Sequence, residues 1–101
     1  MKNPFSPSFG KQPELFNNVH QLVYFDLSHK DREFIMAMAE DRSSSKIQNI
    51  MARLSKDKGY ISRYRERLIT SGVIKPVGHG LLAFTYPYMG EFLQKKKQLG
   101  Y

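Results

Sequence analysis

Apolar residues recur along this chain with a period that changes several times, and each change marks an element. After Ser28, the residues Phe34, Ile35 and Met38 fall on one side of a helix running to about Asp41, with Ser28 as N-cap and Asp31 in its first turn. The polar cluster Arg42-Ser43-Ser44-Ser45 predicts a turn whose last serines cap a second, short helix over about 45–54. There Ile47, Ile50, Met51 and Leu54 recur at steps of three and four. A tight polar turn (55–59) follows. Tyr60, Ile61, Tyr64, Leu68 and Ile69 then define the apolar side of a third helix ending at Gly72.

Beyond Gly72 the pattern becomes β-like. Val73, Ile74 and Val77 flank Lys75 and Pro76, Gly78-His79-Gly80 breaks the chain, and Leu81–Tyr86 resumes a strand-forming run, which predicts a hairpin. Pro76 has no N–H to give a ladder, which confines it to a sheet edge or a strand end. Pro87 is suited to the first turn of a last helix, with Met89, Phe92 and Leu93 inward and Lys95, Lys96 and Lys97 outward.

The N-terminal stretch reads differently. Pro4, Pro7, Pro13 and Gly10 predict an extended arm over 1–13, and Phe5 and Phe9 suit packing on the domain or on a second copy. Residues 14–27 fit a helix through Leu15, Val19, Leu22 and Phe25, or a strand through Val23-Tyr24-Phe25, with helix preferred. The organisation expected is an arm and short element over 1–27 and a domain over 28–101. That domain is mainly α with a small β-hairpin, in the order of a winged helix-turn-helix.

Charge decides which partner to expect. The 101 residues carry 16 Lys and Arg against 9 Asp and Glu, a formal net charge of +7, and residues 1–27 contribute none of it. Arg53, Lys56, Lys58, Arg63, Arg65, Arg67 and Lys75 face only Asp57 and Glu66 within one segment, a field that favours a polyanion. With Ile61, Tyr64 and Leu68 inward, the third helix turns Lys58, Tyr60, Ser62 and Arg63 outward near its start and Arg67 a turn later. These types suit groove reading: Arg grips guanine bidentately, while Ser, Tyr and Lys donate to phosphates or base edges. Lys75 and His79 of the hairpin are the second set of expected contacts. Arg65 falls between faces and is expected to pair with Glu66 or Asp57 or to cover the core with its stem.

Other chemistry finds little footing. The chain has no cysteine, which excludes disulfides and thiolate sites and fits a cytosolic compartment. His20, His29 and His79 lack metal-ligand spacing. Asp31, Glu33, Glu40 and Asp41 read as cap and solvated face, so neither catalysis, a metal, a cofactor nor a small-molecule substrate is expected. No apolar run approaches the roughly 18 residues that span a bilayer, and the start lacks a signal-peptide core.

Three stretches, Leu27–Asp41, Gly59–Ile74 and Gly78–Leu93, resemble the C-terminal winged-helix domain attached to a group of bacterial AAA-type ATPases, over about two thirds of the chain. The opening residues 3–13 resemble the start of the same ATPases. The resemblance implies a winged-helix fold with Lys58, Tyr60, Ser62, Arg63 and Arg67 as the matching recognition positions. It implies no ATPase activity, because no phosphate-cradling Gly-x-x-x-x-Gly-Lys loop is present. The first expectation is a double-stranded DNA binder, in the manner of a small transcriptional regulator, with self-association as a homodimer through the arm. The second is a protein-interaction or assembly module derived from such an appended domain.

Overall fold

The computed structural model describes residues 14–100, with side chains from residue 18. The expected arm over 1–13 lies outside the described residues. Five helices and three short strands follow in the order α1 (Glu14–Asp26), α2 (His29–Met38), β1 (Ser45–Lys46), α3 (Ile47–Leu54), α4 (Lys58–Thr70), β2 (Ile74–Gly78), β3 (Leu81–Phe84) and α5 (Met89–Gln98). The described part is mainly helical, with one small antiparallel sheet in the strand order β1-β3-β2.

Residues 14–26 form the preferred helix, but with a different buried face. His20 and Tyr24 are buried, whereas Leu22 and Phe25 are 75% and 63% exposed. The helical spacing was there, yet His20 and Tyr24 share it at i and i+4, and they are the pair that meets α5. The His20 Nε2 donates to the carbonyl of Pro87 at 2.7 Å. Pro87 therefore does not open α5, which begins at Met89 after Tyr88 in left-handed backbone (φ 64°). His20 is fully buried and joins α1 to the turn before α5. Arg32 ties α1 to α2, since Nε and Nη2 donate to the carbonyls of Tyr24 and Phe25 at the end of α1 (2.9 and 3.1 Å).

The expected cap on α2 forms: Ser28 Oγ accepts from the Asp31 N–H at 3.1 Å. The helix stops at Met38, short of the expected Asp41. The serine cluster does not cap α3. Ser45 is buried, donates its hydroxyl to the Met38 carbonyl at 3.1 Å, and pairs as a strand residue with Leu82. Lys46 takes the N-cap position of α3 without a side-chain bond. The turn forms, and a third strand takes the place of the helix start expected at about residue 45, too short for its period to be seen.

Helix α4 is closed at both ends by its own chemistry. The Asp57 carboxylate accepts from the Tyr60 N–H at 2.9 Å. At the other end Gly72 adopts φ +82°, which lets Gly72 N–H reach Ile69 O and Val73 N–H reach Leu68 O, each at 3.0 Å. β2 leaves directly from this turn and takes the edge of the sheet, where Pro76 forfeits no ladder bond that a neighbour needs. The core gathers one face of each element: Phe34, Ile35, Ile50, Ile61, Leu68, Ile74, Leu82 and Leu93 are all essentially without solvent contact.

Candidate nucleic-acid interface

Because Ile61 and Leu68 anchor α4 in the core, its opposite side is fixed outward. Lys58, Ser62 and Arg63 are exposed there, and none has an ion-pair partner among the described residues. Lys75 on β2 and His79 in the β2–β3 turn are exposed as well. Tyr60 is half-buried; its ring packs on Tyr64 with centroids 4.7 Å apart, and the Lys56 and Lys30 ammoniums sit 5.0 and 5.9 Å from its centre.

Arg67 differs from the others. Its guanidinium donates through Nη2 to Asp31 Oδ2 at 2.9 Å and through Nε to Oδ1 at 3.3 Å. Asp31, expected on a solvated face, is buried, and Ser28 Oγ donates to the same carboxylate at 2.8 Å. Burial alone would push this carboxyl's pKa up; the Arg67 and Ser28 hydrogen bonds outweigh it and hold the group below the usual carboxylate range. The partner effect on Arg67 is to strengthen its protonated form. A buried carboxylate without its cation is costly, so Arg67 is committed to joining α4 to the start of α2.

Arg53 is committed in the same way. It donates to Asp41 at 2.6 and 3.0 Å and to the Ala37 carbonyl at 2.9 Å, with Glu40 Oε2 at 3.7 Å. Its hydrogen bond lowers the Asp41 pKa. Arg65 pairs with Glu66 at 2.8 Å. Of the seven cations between Arg53 and Lys75, four have no ion-pair partner among the described residues: Lys56, Lys58, Arg63 and Lys75.

Two cations lay outside the sequence argument. Lys30 enters because α2 begins beside α4, and no spacing in the chain announces that meeting. Lys46 is exposed at the end of β1 opposite Leu81, close to the hairpin turn, since the Ile47 N–H donates to the Gly80 carbonyl at 3.0 Å. Lys96, expected to point outward, lies instead over the Tyr24, Phe25 and Phe92 rings at 4.9, 5.0 and 5.6 Å.

Elsewhere, an open groove of about 470 Å³ between α1, α2, α3 and α5 is lined by Tyr24, Arg32, Met36 and Arg53 among others. Both arginines are already engaged there. Among the described residues no group of His, Asp or Glu side chains is placed to hold a metal ion, and no helix is long and apolar enough to cross a membrane.

The family model of a domain of unknown function, DUF8462, matches residues 17–93, from within α1 to Leu93 of α5. The chain belongs to the DUF8462 family. No curated protein and no solved structure matches it.

Proposed function

We propose that this DUF8462 domain is a winged helix-turn-helix that binds double-stranded DNA, with α4 in the major groove and the β2–β3 hairpin on the backbone. The observation that carries the reading is the outward face of α4, where Lys58, Ser62 and Arg63 stand exposed and uncompensated on a helix pinned from behind by Ile61 and Leu68. The order α2-β1-α3-α4-β2-β3, with β1 completing the hairpin's sheet, supports the same fold class. In this arrangement Arg63 reads a guanine edge, Lys58 and Ser62 hold phosphates near the start of α4, and Lys75 and His79 meet the adjacent strand. Arg67 orients α4 instead of reading bases. A small transcriptional regulator is the role this suits.

The test is fluorescence anisotropy with a random-sequence duplex at 50 and 200 mM salt. Two neutralised phosphates, at Lys58 and Lys75, predict a log–log slope of at least about −1.8 in magnitude, an affinity loss of roughly 12-fold over that range. Arg63→Ala is expected to weaken binding about 5-fold or more and to leave the unfolding temperature unchanged. Binding that ignores both salt and Arg63 refutes the reading.

A second reading, a protein-docking or assembly module of the kind appended to AAA-type ATPases, is favoured by one observation. Leu22 and Phe25 lie three residues apart on α1 and are 75% and 63% exposed. A partner held there with little salt dependence would support docking over DNA binding.

A further inference from the structure

The Tyr60 ring draws together two cations that belong to different parts of the fold. Lys30 comes from the first turn of α2 and Lys56 from the turn between α3 and α4, yet both ammoniums lie within 6 Å of one ring centre, at 5.9 and 5.0 Å. They are therefore no more than about 11 Å apart. Both side chains are exposed, and neither has an ion-pair partner among the described residues.

The acids nearest to them in sequence do not compensate them. Asp31, next to Lys30, is occupied by Arg67 and Ser28. Asp57, next to Lys56, turns its carboxylate to the Tyr60 N–H as the cap of α4 and forms no salt bridge with either lysine. The ring itself offsets only part of the repulsion, since an exposed cation–π contact contributes about 0.5–1 kcal/mol. Two positive charges are thus held close, neither in a salt bridge among the described residues, beside the N-terminal end of α4, whose dipole also favours an anion.

We infer that Lys30 and Lys56, gathered around Tyr60, form a clamp for the phosphodiester backbone of duplex DNA beside the groove that α4 enters. The inference rests on the DNA-binding reading and extends its footprint from α4 to the start of α2. Tyr60 acts in it as a positioning residue: stacked on Tyr64 and half-buried, it fixes where the two ammoniums sit and reads no base.

The experiment measures duplex affinity from 50 to 200 mM salt for the intact protein, for Lys30→Ala/Lys56→Ala, and for Lys95→Ala/Lys97→Ala, which removes the same charge from exposed positions on α5. Four phosphate contacts, at Lys30, Lys56, Lys58 and Lys75, predict a log–log slope of about −3.6 for the parent protein, a loss of roughly 150-fold across the range. Removing Lys30 and Lys56 brings the slope to about −1.8 and the loss to roughly 12-fold, while the α5 pair stays within about half a slope unit of the parent. Tyr60→Phe keeps the parent slope; Tyr60→Leu moves it toward that of the Lys30/Lys56 variant, with helical circular dichroism retained. A parent-like slope for Lys30→Ala/Lys56→Ala, or an equal drop for the α5 pair, overturns the clamp while leaving α4 as the reader. Absence of duplex binding by the parent protein overturns both.

Discussion

Asp31→Asn tests whether the geometry around α4 has been understood, because it changes one charge and almost no volume. In the native fold the carboxylate accepts two bonds from Arg67, at 2.9 and 3.3 Å, and one from Ser28, at 2.8 Å, while only 5% of the side chain is exposed. A hydrogen bond to a charged group is worth about 1.5–3 kcal/mol, and breaking a fully buried ion pair costs about 3–5. The Arg67 side chain is 55% exposed, so water takes over part of what it loses, and the expected destabilisation is about 2 kcal/mol. For a domain of this size that corresponds to a fall of roughly 8–16 °C in Tm, read by circular dichroism. The pH dependence gives a second check. The folded-state pKa of Asp31 is lowered, so its contribution is complete above the ordinary carboxylate range near about 4 and fades as pH falls through the lower folded value. Asparagine does not titrate. The gap between the two proteins must therefore narrow on acidification from pH 6 to below about 4. A gap under about 0.5 kcal/mol at pH 7, or one that stays constant into acid, refutes the assignment of Arg67 as an anchor.

Two further outcomes follow from the packing. Leu68→Ala empties a site that is 1% exposed and is expected to cost about 2–5 kcal/mol in urea unfolding, lowering duplex affinity only where the domain unfolds. Gly80→Ala meets open space but imposes a side chain at φ +69°; the cost is about 1–2 kcal/mol by the same assay, and an unchanged midpoint would show that the hairpin turn relaxes.

What the sequence made legible is what its periodicity encodes. The inward set of α4, Ile61 and Leu68, and that of α5, Met89, Phe92 and Leu93, could be read because each helix presents several apolar residues at steps of three and four. The hairpin was announced by the shift to Ile74, Val77 and the Leu81–Phe84 run. The misreadings occur where long-range contact overrides local pattern. β1 has two residues, fewer than any period can reveal, and Ser45 is drawn into it by Leu82 and the Met38 carbonyl. On α1, Leu22 and Phe25 looked like the buried stripe, but α5 offers its ring and turn to Tyr24 and His20, turning the helix by part of a revolution. Charge was legible as a total and not as a pattern. The Arg67–Asp31 pair spans 36 residues and the Arg53–Asp41 pair 12, distances over which sequence alone gives no pairing.

That difference between total and free charge alters what one copy of the domain can accomplish. Seven cations between Arg53 and Lys75 suggested several guanidiniums for base reading, whereas pairing leaves Arg63 as the exposed arginine of α4 without a carboxylate partner among the described residues. The other free groups in that segment, Lys56, Lys58 and Lys75, are ammoniums, which hold phosphate as point charges and carry little sequence information. One bidentate guanine contact supplies about 1–3 kcal/mol of discrimination, well short of the roughly 4–10 that separates specific from non-specific sites. On the proposed reading, strong sequence selection therefore requires a second reading surface, which a homodimer with two copies of α4 on one duplex would supply. The arm expected to join two copies lies at 1–13, outside the described residues. On the DNA-binding reading proposed above, a single copy is expected to grip a duplex by charge, with choice of sequence expected only from two copies on one site, a difference that specific-versus-random duplex competition reads directly.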